Sequence, residues 1–359
     1  MAAFNGQLRS NEIFSALYNM IISQEVFADN LGAHQTLVDK ARVDGSMFGD
    51  TKLYYSTDVL KSAPWGNDAE AANLLALHRP EAPKCQAIHL DVFRQICLTV
   101  DNYLSKRAWA TEGAFSSFNG VMLGWMRETK RVYDGTLYNV FIGTTVSPKT
   151  AQNREVKIKG LTDAKEEAMI IAQDLADLFV EMGDYSREFN DNEMLRSYAK
   201  EGIKVIWNSK FVNKIRKVDL PTIFHKDGLV DKFEEEILPA RYFGAVASAN
   251  IAAVNNDGSY RSVLEKDYVN TSSETVHVFP GDLVPAGIDL SKGEVYAEDA
   301  DVICKVLVKL PPYMSAFEVG TSFFNPKSLT ENHYLTFGHN TIEYLENYPF
   351  ITVKAVAID

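Results

Sequence analysis

The chain has 359 residues, of which 46% are hydrophobic and 11% aromatic, so it is long enough for two domains with substantial cores. This composition excludes disordered and fibrous proteins. A formal net charge of −12, from 36 Lys and Arg against 48 Asp and Glu, argues against a protein that reads nucleic acid in a groove.

The negative charge is concentrated in one part of the chain. Residues 1–150 carry 14 basic and 15 acidic side chains, whereas residues 151–359 carry 22 and 33. We therefore expect the two parts to have different electrostatic surroundings.

The cysteines and the N-terminal residues predict a protein of a reducing compartment. Cys85, Cys97 and Cys304 are an odd number without a CxxC pair, which disfavours a disulfide framework. Residues 1–7 show no basic region followed by an apolar run, and no window of 18 residues is uninterruptedly apolar. The sequence predicts neither an export signal nor a membrane span.

The first hundred residues predict an arm and an extended hairpin. Apolar residues of the segment 10–29 fall near one helical stripe, so we interpret residues 1–36 as an N-terminal arm. Two strand candidates lie in 37–56 and a third in 86–100, separated by a segment rich in Pro and Gly. Residues 37–100 show few signs of a core of their own.

Such a hairpin has to bury its apolar side chains against another surface. The clearest of these side chains are Leu53, Tyr54, Tyr55 and Trp65. The amphipathic arm needs an external groove for the same reason. Both features predict a protein that assembles and whose isolated subunit is only weakly stable.

The strongest periodic signal predicts a long helix over 112–141. Residues with an apolar or small side chain recur at steps of three and four over about eight turns. They are Phe115, Phe118, Met122, Trp125, Thr129, Val132, Thr136 and Val140. The helix would span about 45 Å, and we expect it to pack along a sheet.

The remaining elements predict helices in the middle of the chain and strands at its end. Helices are expected at 161–182, directly after Asn208-Ser209, and at 231–238. Strands are expected at 203–207, 274–279 and 301–310, with a closing hairpin of 334–345 and 350–358. This order indicates the α+β class.

The sequence lacks the motifs of common enzymes. The glycines and lysine of Gly45–Lys52 are misplaced for a phosphate-binding GxxxxGK[ST] loop, and no GxGxxG follows a strand. Neither Gly113–Ser116 nor Asp257–Ser259 has the spacing of a GxSxG nucleophile elbow. We predict no catalytic residue, no cofactor and no enzymatic activity.

Two groups of metal-ligating residue types occur, and both have unsuitable spacing. The best group lies within twenty residues and comprises His78, Cys85, His89 and Cys97. An extended strand would separate Cys85 from His89 by about 13 Å, and His333 from His339 by about 20 Å, too far for one ion. We predict packed or solvated side chains and no metal site.

Two charged clusters have alternative interpretations. The acidic run Asp231–Glu236 is either a divalent-ion surface or, as we favour, a solvated helix face. A basic cluster either contacts nucleic acid or an acidic neighbouring subunit, or balances the surrounding acidic residues. Its members are Lys200, Lys204, Lys210, Lys214, Arg216 and Lys217.

The order of arm, hairpin, long helix, acidic α/β region and closing strands resembles the major capsid proteins of tailed bacteriophages, which have the Hong Kong 97-type fold. Lys204–Phe211 looks like the axial-domain strand of that family followed by its N-P-x-Y/F motif and a helix. The stretch from Phe324–Lys327 through Tyr334–Phe337 to Phe350–Val353 is similar to its final peripheral strands.

The resemblance implies a domain organisation for nearly the whole chain. Residues 37–100 would be the extension loop, and 112–141 the spine helix of the peripheral domain. That domain would comprise residues 101–154 and 301–359, and the axial domain residues 155–300. No scaffolding-like N-terminal segment and no context for cross-linking Lys and Asn residues is visible, so covalent cross-linking is not expected.

The implied function is an icosahedral shell around double-stranded DNA, built from hexamers and pentamers. Candidate partners are scaffolding, portal and decoration proteins, with no sequence-specific DNA binding and no membrane. The shell would be assembled in the host cytoplasm and become part of the virion. Two alternatives remain: an encapsulin-like nanocompartment and an enzyme with an unrecognised site.

Overall fold

The computed structural model describes residues 36–45, 51–62, 77, 79–101, 112–145, 153–216, 234–248, 261–269, 273–286 and 294–358. The chain forms two compact units. The first contains residues 1–50, 89–138 and 313–341, and the second contains 51–88, 139–312 and 342–359. The helix predicted over 10–29 lies outside the described residues.

The described elements are mostly strands, which confirms the α+β class. The helices are α1 (Thr36–Ala41), α2 (Glu112–Ile142), α3 (Ala164–Gly183) and α4 (Ser209–Arg216), with 3₁₀ turns at Lys200–Gly202 and Ala240–Tyr242. The first strands are β1 (Arg42–Asp44), β2 (Thr51–Ser56), β3 (Lys84–Asp101), β4 (Asn153–Lys159), β5 (Lys204–Asn208), β6 (Glu234–Leu238) and β7 (Gly244–Ser248). The later ones are β8 (Lys266–Val269), β9 (Thr275–Val278), β10 (Glu294–Glu298), β11 (Val302–Leu307), β12 (Tyr313–Asn325), β13 (Thr330–Asn340) and β14 (Phe350–Ala357). None of these helices is long and apolar enough to cross a membrane.

The first unit is built from a sheet and the long helix α2. β13 is antiparallel to both β12 and β3, and β1 is parallel to β12. The ring of Tyr133 on α2 packs edge-on against Phe337 with centroids 5.7 Å apart, and Tyr138 packs against Tyr313 at 6.3 Å. The prediction of a helix over 112–141 that packs along a sheet is therefore confirmed.

A buried ionic cluster fixes α2 on this sheet. Lys130 Nζ lies 3.0 Å from Asp134 Oδ2, and both side chains are almost completely buried. The Tyr313 hydroxyl donates to Asp134 Oδ1 at 2.6 Å, and the Arg42 guanidinium lies 3.5 Å from the same carboxylate. Because a buried charge without partners is costly, these contacts hold the helix against β1 and β12.

The second unit has a five-stranded sheet in the order β4-β14-β11-β5-β6. All six residues of the central strand β11 are buried. Helix α3 covers the sheet with Ile171, Leu175, Phe179 and Met182, which belong to an apolar core that also contains residues of β4, β5, β11 and β14. Asp163 caps the start of α3 by accepting a hydrogen bond from the Lys165 N–H.

A lysine lies inside this core sheet. Lys305 on β11 is completely buried, and its Nζ donates to Thr352 Oγ1 at 2.6 Å and lies 4.0 Å from the centre of the Phe350 ring. Burial lowers the pKa of this amine well below its ordinary value of 10.5, with the nearby Lys354 adding to the shift.

Three predictions of local structure are wrong. Residues 334–345 and 350–358 do not form a hairpin, because β13 and β14 belong to different sheets. The acidic segment at 234–238 is strand β6 and not a helix, since it pairs in parallel with β5. The first part of 37–56 is helix α1, and the strand β1 begins only at Arg42.

Candidate functional site

The chain between β2 and β3 carries the two most exposed large apolar side chains of the described residues. Leu77 and Leu60 expose 81% and 78% of their surface, and Val59, next to Leu60, exposes 53%. We call residues 57–62 the outgoing limb, and residue 77 with residues 79–83 the returning limb. Exposed apolar groups in such a concentration indicate a surface that binds another protein.

The two limbs lie side by side. Lys61 Nζ of the outgoing limb is 3.9 Å from Glu81 Oε1 of the returning limb, and both side chains are almost fully exposed. β2, which leads into the outgoing limb, is the hydrogen-bonded neighbour of β3, which follows the returning limb. The predicted pairing of an outgoing and a returning strand is confirmed, whereas Trp65 lies outside the described residues.

Asp58 anchors the outgoing limb to the rest of the second unit. Its carboxylate accepts hydrogen bonds from Arg187 Nη1 at 2.6 Å and from the Leu195 N–H at 3.0 Å. The Val59 N–H also donates to it, at 2.8 Å. Because the hydrogen bond from Arg187 and those from the two amides favour the ionised form, the pKa of Asp58 is lowered to about 2.

The segment that holds Asp58 is itself held in place by hydrogen bonds. Asn190 is completely buried, and its side-chain amide makes two hydrogen bonds of 2.8 Å with the backbone of Met194. Arg196 and Ser186 pair through their backbones, and Arg196 Nη2 donates to the Thr57 carbonyl oxygen at 2.7 Å. The outgoing limb therefore begins at a segment that these hydrogen bonds hold in place.

The strand after the returning limb is anchored in the same unit. Lys84 Nζ donates to the Asn192 carbonyl oxygen at 2.9 Å. The Gln86 side chain donates to the Tyr344 carbonyl oxygen at 3.0 Å and accepts from the Glu346 N–H at 3.1 Å. We call this set of contacts, together with those of Thr57 and Asp58, the loop root.

β2 contributes both to the loop root and to the exposed surface. Lys309 Nζ lies 5.5 Å from the ring centre of Tyr54 and 5.4 Å from that of Tyr348, so the two rings share one cation. On the other side of β2, Leu53 and Tyr55 are exposed. The exposure predicted for Leu53 and Tyr55 is confirmed, whereas Tyr54 is half-buried.

The loop root holds the limbs in one conformation before any partner binds. The contacts of the loop root involve side chains far apart in sequence, such as Asp58 and Arg187, which are 129 residues apart. They fix the start of both limbs within the single subunit. A surface that is held in its binding conformation loses less conformational entropy on association.

The sequence-predicted metal candidates are not brought together. His78 lies outside the described residues, and Cys85, His89 and Cys97 are exposed along the extended strand β3. All three cysteines of the chain are free. Among the described residues, no three His, Cys, Asp or Glu side chains are placed to hold a metal ion.

The two histidines of β13 are packed in the first unit. His333 and His339 are both buried. His339 Nδ1 lies 2.9 Å from the Asn340 carbonyl oxygen and therefore donates to it, so Nε2 accepts from the Tyr133 hydroxyl at 3.0 Å. Burial lowers the pKa of His339, which favours this neutral form.

Contacts of the acidic run and of the basic cluster favour the interpretation that their charges balance each other within the second unit. Lys204 forms an ion pair with Glu234, which belongs to the acidic run Asp231–Glu236. Lys210 Nζ lies 3.9 Å from Glu298 Oε1. Lys200 begins a 3₁₀ turn. Residues 217 and 231–233, and the side chains of 214 and 216, lie outside the described part of the chain.

Sequence reasoning missed the loop root and the apolar residues of the limbs. Asp58, Arg187 and Gln86 have no local motif, because their partners come from distant segments. Val59, Leu60 and Leu77 could have been found as apolar residues in a segment without helical or alternating periodicity.

Comparison with known proteins gives a likeness of fold only. No protein-family model matches the sequence, and no curated protein is similar to it. A chain in the capsid structure of Staphylococcus phage Andhra has a TM-score of 0.55 and 11% identity, with 92% of this chain and 84% of that chain covered. A chain in the structure of the head fiber and inner core protein gp22 of native bacteriophage P68 has a TM-score of 0.54 and 10% identity, with 87% and 83% covered. The expected likeness to the fold found in phage capsids is confirmed.

Proposed function

We propose that this chain is the major capsid protein of a tailed bacteriophage. Many copies assemble into an icosahedral shell that encloses double-stranded DNA. The observation that carries the proposal is the likeness of fold to a phage capsid chain over 92% of the residues. The exposed apolar limbs on a fixed root support it, because they are the kind of surface that a subunit of a shell needs.

The proposal includes the Hong Kong 97-type organisation of the subunit. Residues 37–100 act as the extension loop, 101–154 with 301–359 as the peripheral domain, and 155–300 as the axial domain. Residues 1–36 form the N-terminal arm. In this scheme α2 is the spine helix, and the limbs are part of the loop that reaches a neighbouring subunit.

The charge of the chain suits a wall around packed DNA. A strongly basic lining would bind phosphates and release counterions, which would hinder the movement of DNA during packing. A chain of net charge −12 avoids this binding. The role is structural, with no catalysis and no sequence-specific DNA contact.

The proposed partners are further copies of the chain in hexamers and pentamers, and scaffolding, portal and decoration proteins. Assembly takes place in the host cytoplasm, and the product is part of the virion. Neighbouring genes separate this role from that of an encapsulin-like compartment. Portal, protease and terminase genes favour the phage, and a peroxidase or ferritin-like gene favours the compartment.

Electron microscopy of the purified full chain tests the proposal. We expect rings or closed shells in negative stain, and a large sedimenting species in solution. A compact monomer at every protein concentration would refute it.

A further inference from the structure

A cavity of about 330 Å³ lies in the first unit between helix α2 and the sheet. The helix contributes Met126 and Arg127 to its walls, β12 contributes Glu318 and residues 320–322, and β13 contributes residues 333–335. All of these residues belong to the described part of the first unit. The volume falls within the range of small-molecule sites, so the cavity can hold a small ligand.

The register of β12 and β13 explains why this space is open. Gly320 lies opposite Leu335, and Ser322 lies opposite His333. Side chains of opposite residues point to the same face of a sheet, and Phe337, two residues beyond Leu335, packs against α2 on that face. A Cβ atom at Gly320 would meet no other atom within 4 Å, so the lack of a side chain there leaves room for a ligand.

One buried polar side chain in the cavity makes no hydrogen bond within the described part of the chain. This side chain is His333, which is 9% exposed. His339, on the same face of β13, contacts the Asn340 carbonyl oxygen and the Tyr133 hydroxyl through its two ring nitrogens. Because buried polar groups are almost always hydrogen-bonded, the ring of His333 is suited to bind a ligand in the cavity.

Two charged residues line the cavity, and only one of them has a charged partner among the described residues. Glu318 has such a partner in Lys130, whose Nζ lies 3.5 Å from its carboxylate. Arg127 makes no ion pair there, whereas Arg131, one turn further along α2, pairs with Glu128 at 3.2 Å. The cavity therefore offers an available guanidinium beside an available imidazole, which favours an anionic ligand.

We propose that this cavity binds a small phosphate monoester. Arg127 of α2, Ser322 of β12 and His333 of β13 donate to the phosphate oxygens from three different elements. A tetrahedral phosphate accepts hydrogen bonds from several directions, so it suits such a set of donors better than a planar carboxylate does. Hydrogen bonds from a guanidinium to phosphate are also among the strong ones, because both groups are charged.

The remaining walls indicate that the ligand has an apolar body as well as a phosphate. Met126 and Leu335 are 4% and 6% exposed, and both line the cavity. Ligand sites commonly combine such apolar walls with a few polar groups that fix the orientation of the ligand. A mononucleotide has both parts, with a flat base and a single phosphate.

Equilibrium dialysis of the full chain with radiolabelled adenosine 5′-monophosphate tests the proposal. The method measures binding to single subunits and to assembled shells alike. We expect saturable binding of one molecule per chain, with competition by phenyl phosphate and none by adenosine. The absence of saturable binding, or competition by adenosine instead of phenyl phosphate, would overturn the proposal.

Arg127→Met removes the guanidinium from an exposed position and keeps a residue that favours helix. We expect affinity for adenosine 5′-monophosphate to fall at least about tenfold, because a charged hydrogen bond is lost. Arg131→Met is the matched control, since Arg131 lies on the same helix outside the cavity and its loss should leave the affinity unchanged. Equal affinities of the two variants would contradict the assignment of Arg127.

Two variants on the sheet test the cavity itself. His333→Leu removes a donor that has no partner in the described chain, so the melting temperature should not fall while the affinity falls at least about tenfold. Gly320→Val adds a side chain that suits a strand and fills the open space, so it should abolish binding. Unchanged affinity in both variants would place the bound nucleotide elsewhere and refute the inference.

A short DNA duplex distinguishes a free monoester from the phosphates of a nucleic acid. We expect the duplex not to displace adenosine 5′-monophosphate, because a cavity of about 330 Å³ admits a small molecule and not a double helix. Displacement by the duplex that is lost in Arg127→Met would identify the site as a contact for a nucleic-acid backbone and overturn the proposal.

Discussion

Strand β11 and the two limbs belong to the same compact unit and have opposite burial. All six residues of β11 are buried, whereas residues 59–62 of the outgoing limb and 79–83 of the returning limb are exposed. The limbs nevertheless start from well-defined contacts at the loop root. Under the proposed function, we infer that the core sheet serves folding and that the exposed limbs serve assembly.

The largest effect on folding is expected in the core around β11. Phe179→Ala removes a ring that is 2% exposed, and such truncations cost about 3–5 kcal/mol because a cavity remains. Val180→Ala is the matched control, since Val180 is 62% exposed and should change the free energy of unfolding by less than about 0.5 kcal/mol. Denaturant unfolding of both variants measures the difference. Equal losses would show that burial does not separate these positions.

Lys305 gives the core a distinctive dependence on pH. Its pKa in the folded protein is below that of the unfolded chain, so the unfolded state binds more protons between the two values. Its contribution therefore makes stability rise with pH in that window, by at most about 1.4 kcal/mol per pH unit.

Lys305→Met tests this contribution by removing the amine and keeping an apolar chain of similar length. We expect the variant to be at least as stable at pH 7, and to lose the part of the alkaline rise that Lys305 supplies. The measurement is the difference in the free energy of unfolding between the two proteins from pH 7 to 10. A difference that does not vary with pH would contradict the account.

Asp58 is expected to have a smaller effect, confined to the loop root and to acid. Because its folded pKa of about 2 is below the ordinary 3.8, its contribution is present above about pH 4 and is lost as pH falls toward 2. Asp58→Asn should remove this dependence and accelerate hydrogen exchange of the Leu195 amide at neutral pH. Glu201→Gln, at an exposed site of the same unit, should leave that amide unchanged.

The smallest effect on folding and a large one on assembly are expected at the ends of the limbs. Leu60→Ser combined with Leu77→Ser alters two highly exposed side chains, so the free energy of unfolding should change by less than about 0.5 kcal/mol. Sedimentation should show a marked loss of assembled material. If stability falls by several kcal/mol instead, these residues belong to the subunit's core.

Elements with long local signals could be predicted from the sequence. The apolar stripe predicts a helix over 112–141, and α2 spans Glu112–Ile142. This prediction succeeds because a helical periodicity sustained over thirty residues fits no other secondary structure well. Asp163 and Gly183 likewise mark the ends of α3. The pairing of strands could not be predicted: alternation predicts β13 and β14, but their partners lie in separate sheets.

Tertiary contacts explain the other differences between the predicted and the observed structure. Glu234–Glu236 have a higher propensity for helix than for strand, yet pairing with β5 makes them a strand. In the candidate site, the apolar character of the hairpin was predictable from Leu53 and Tyr55. The loop root was not, because no local pattern relates Asp58 to Arg187.

A variant without the ends of the limbs tests the central claim most directly. Lys61 and Glu81 are adjacent, so residues 60–82 can be replaced by a short Gly-Ser linker, whereas a wider deletion would remove the buried Ile88 and Leu90. We expect the unmodified chain to form rings or shells in negative stain, and the variant to stay a folded monomer with the same circular dichroism spectrum. Shells formed by the variant, or its unfolding, would contradict the separation of folding from assembly.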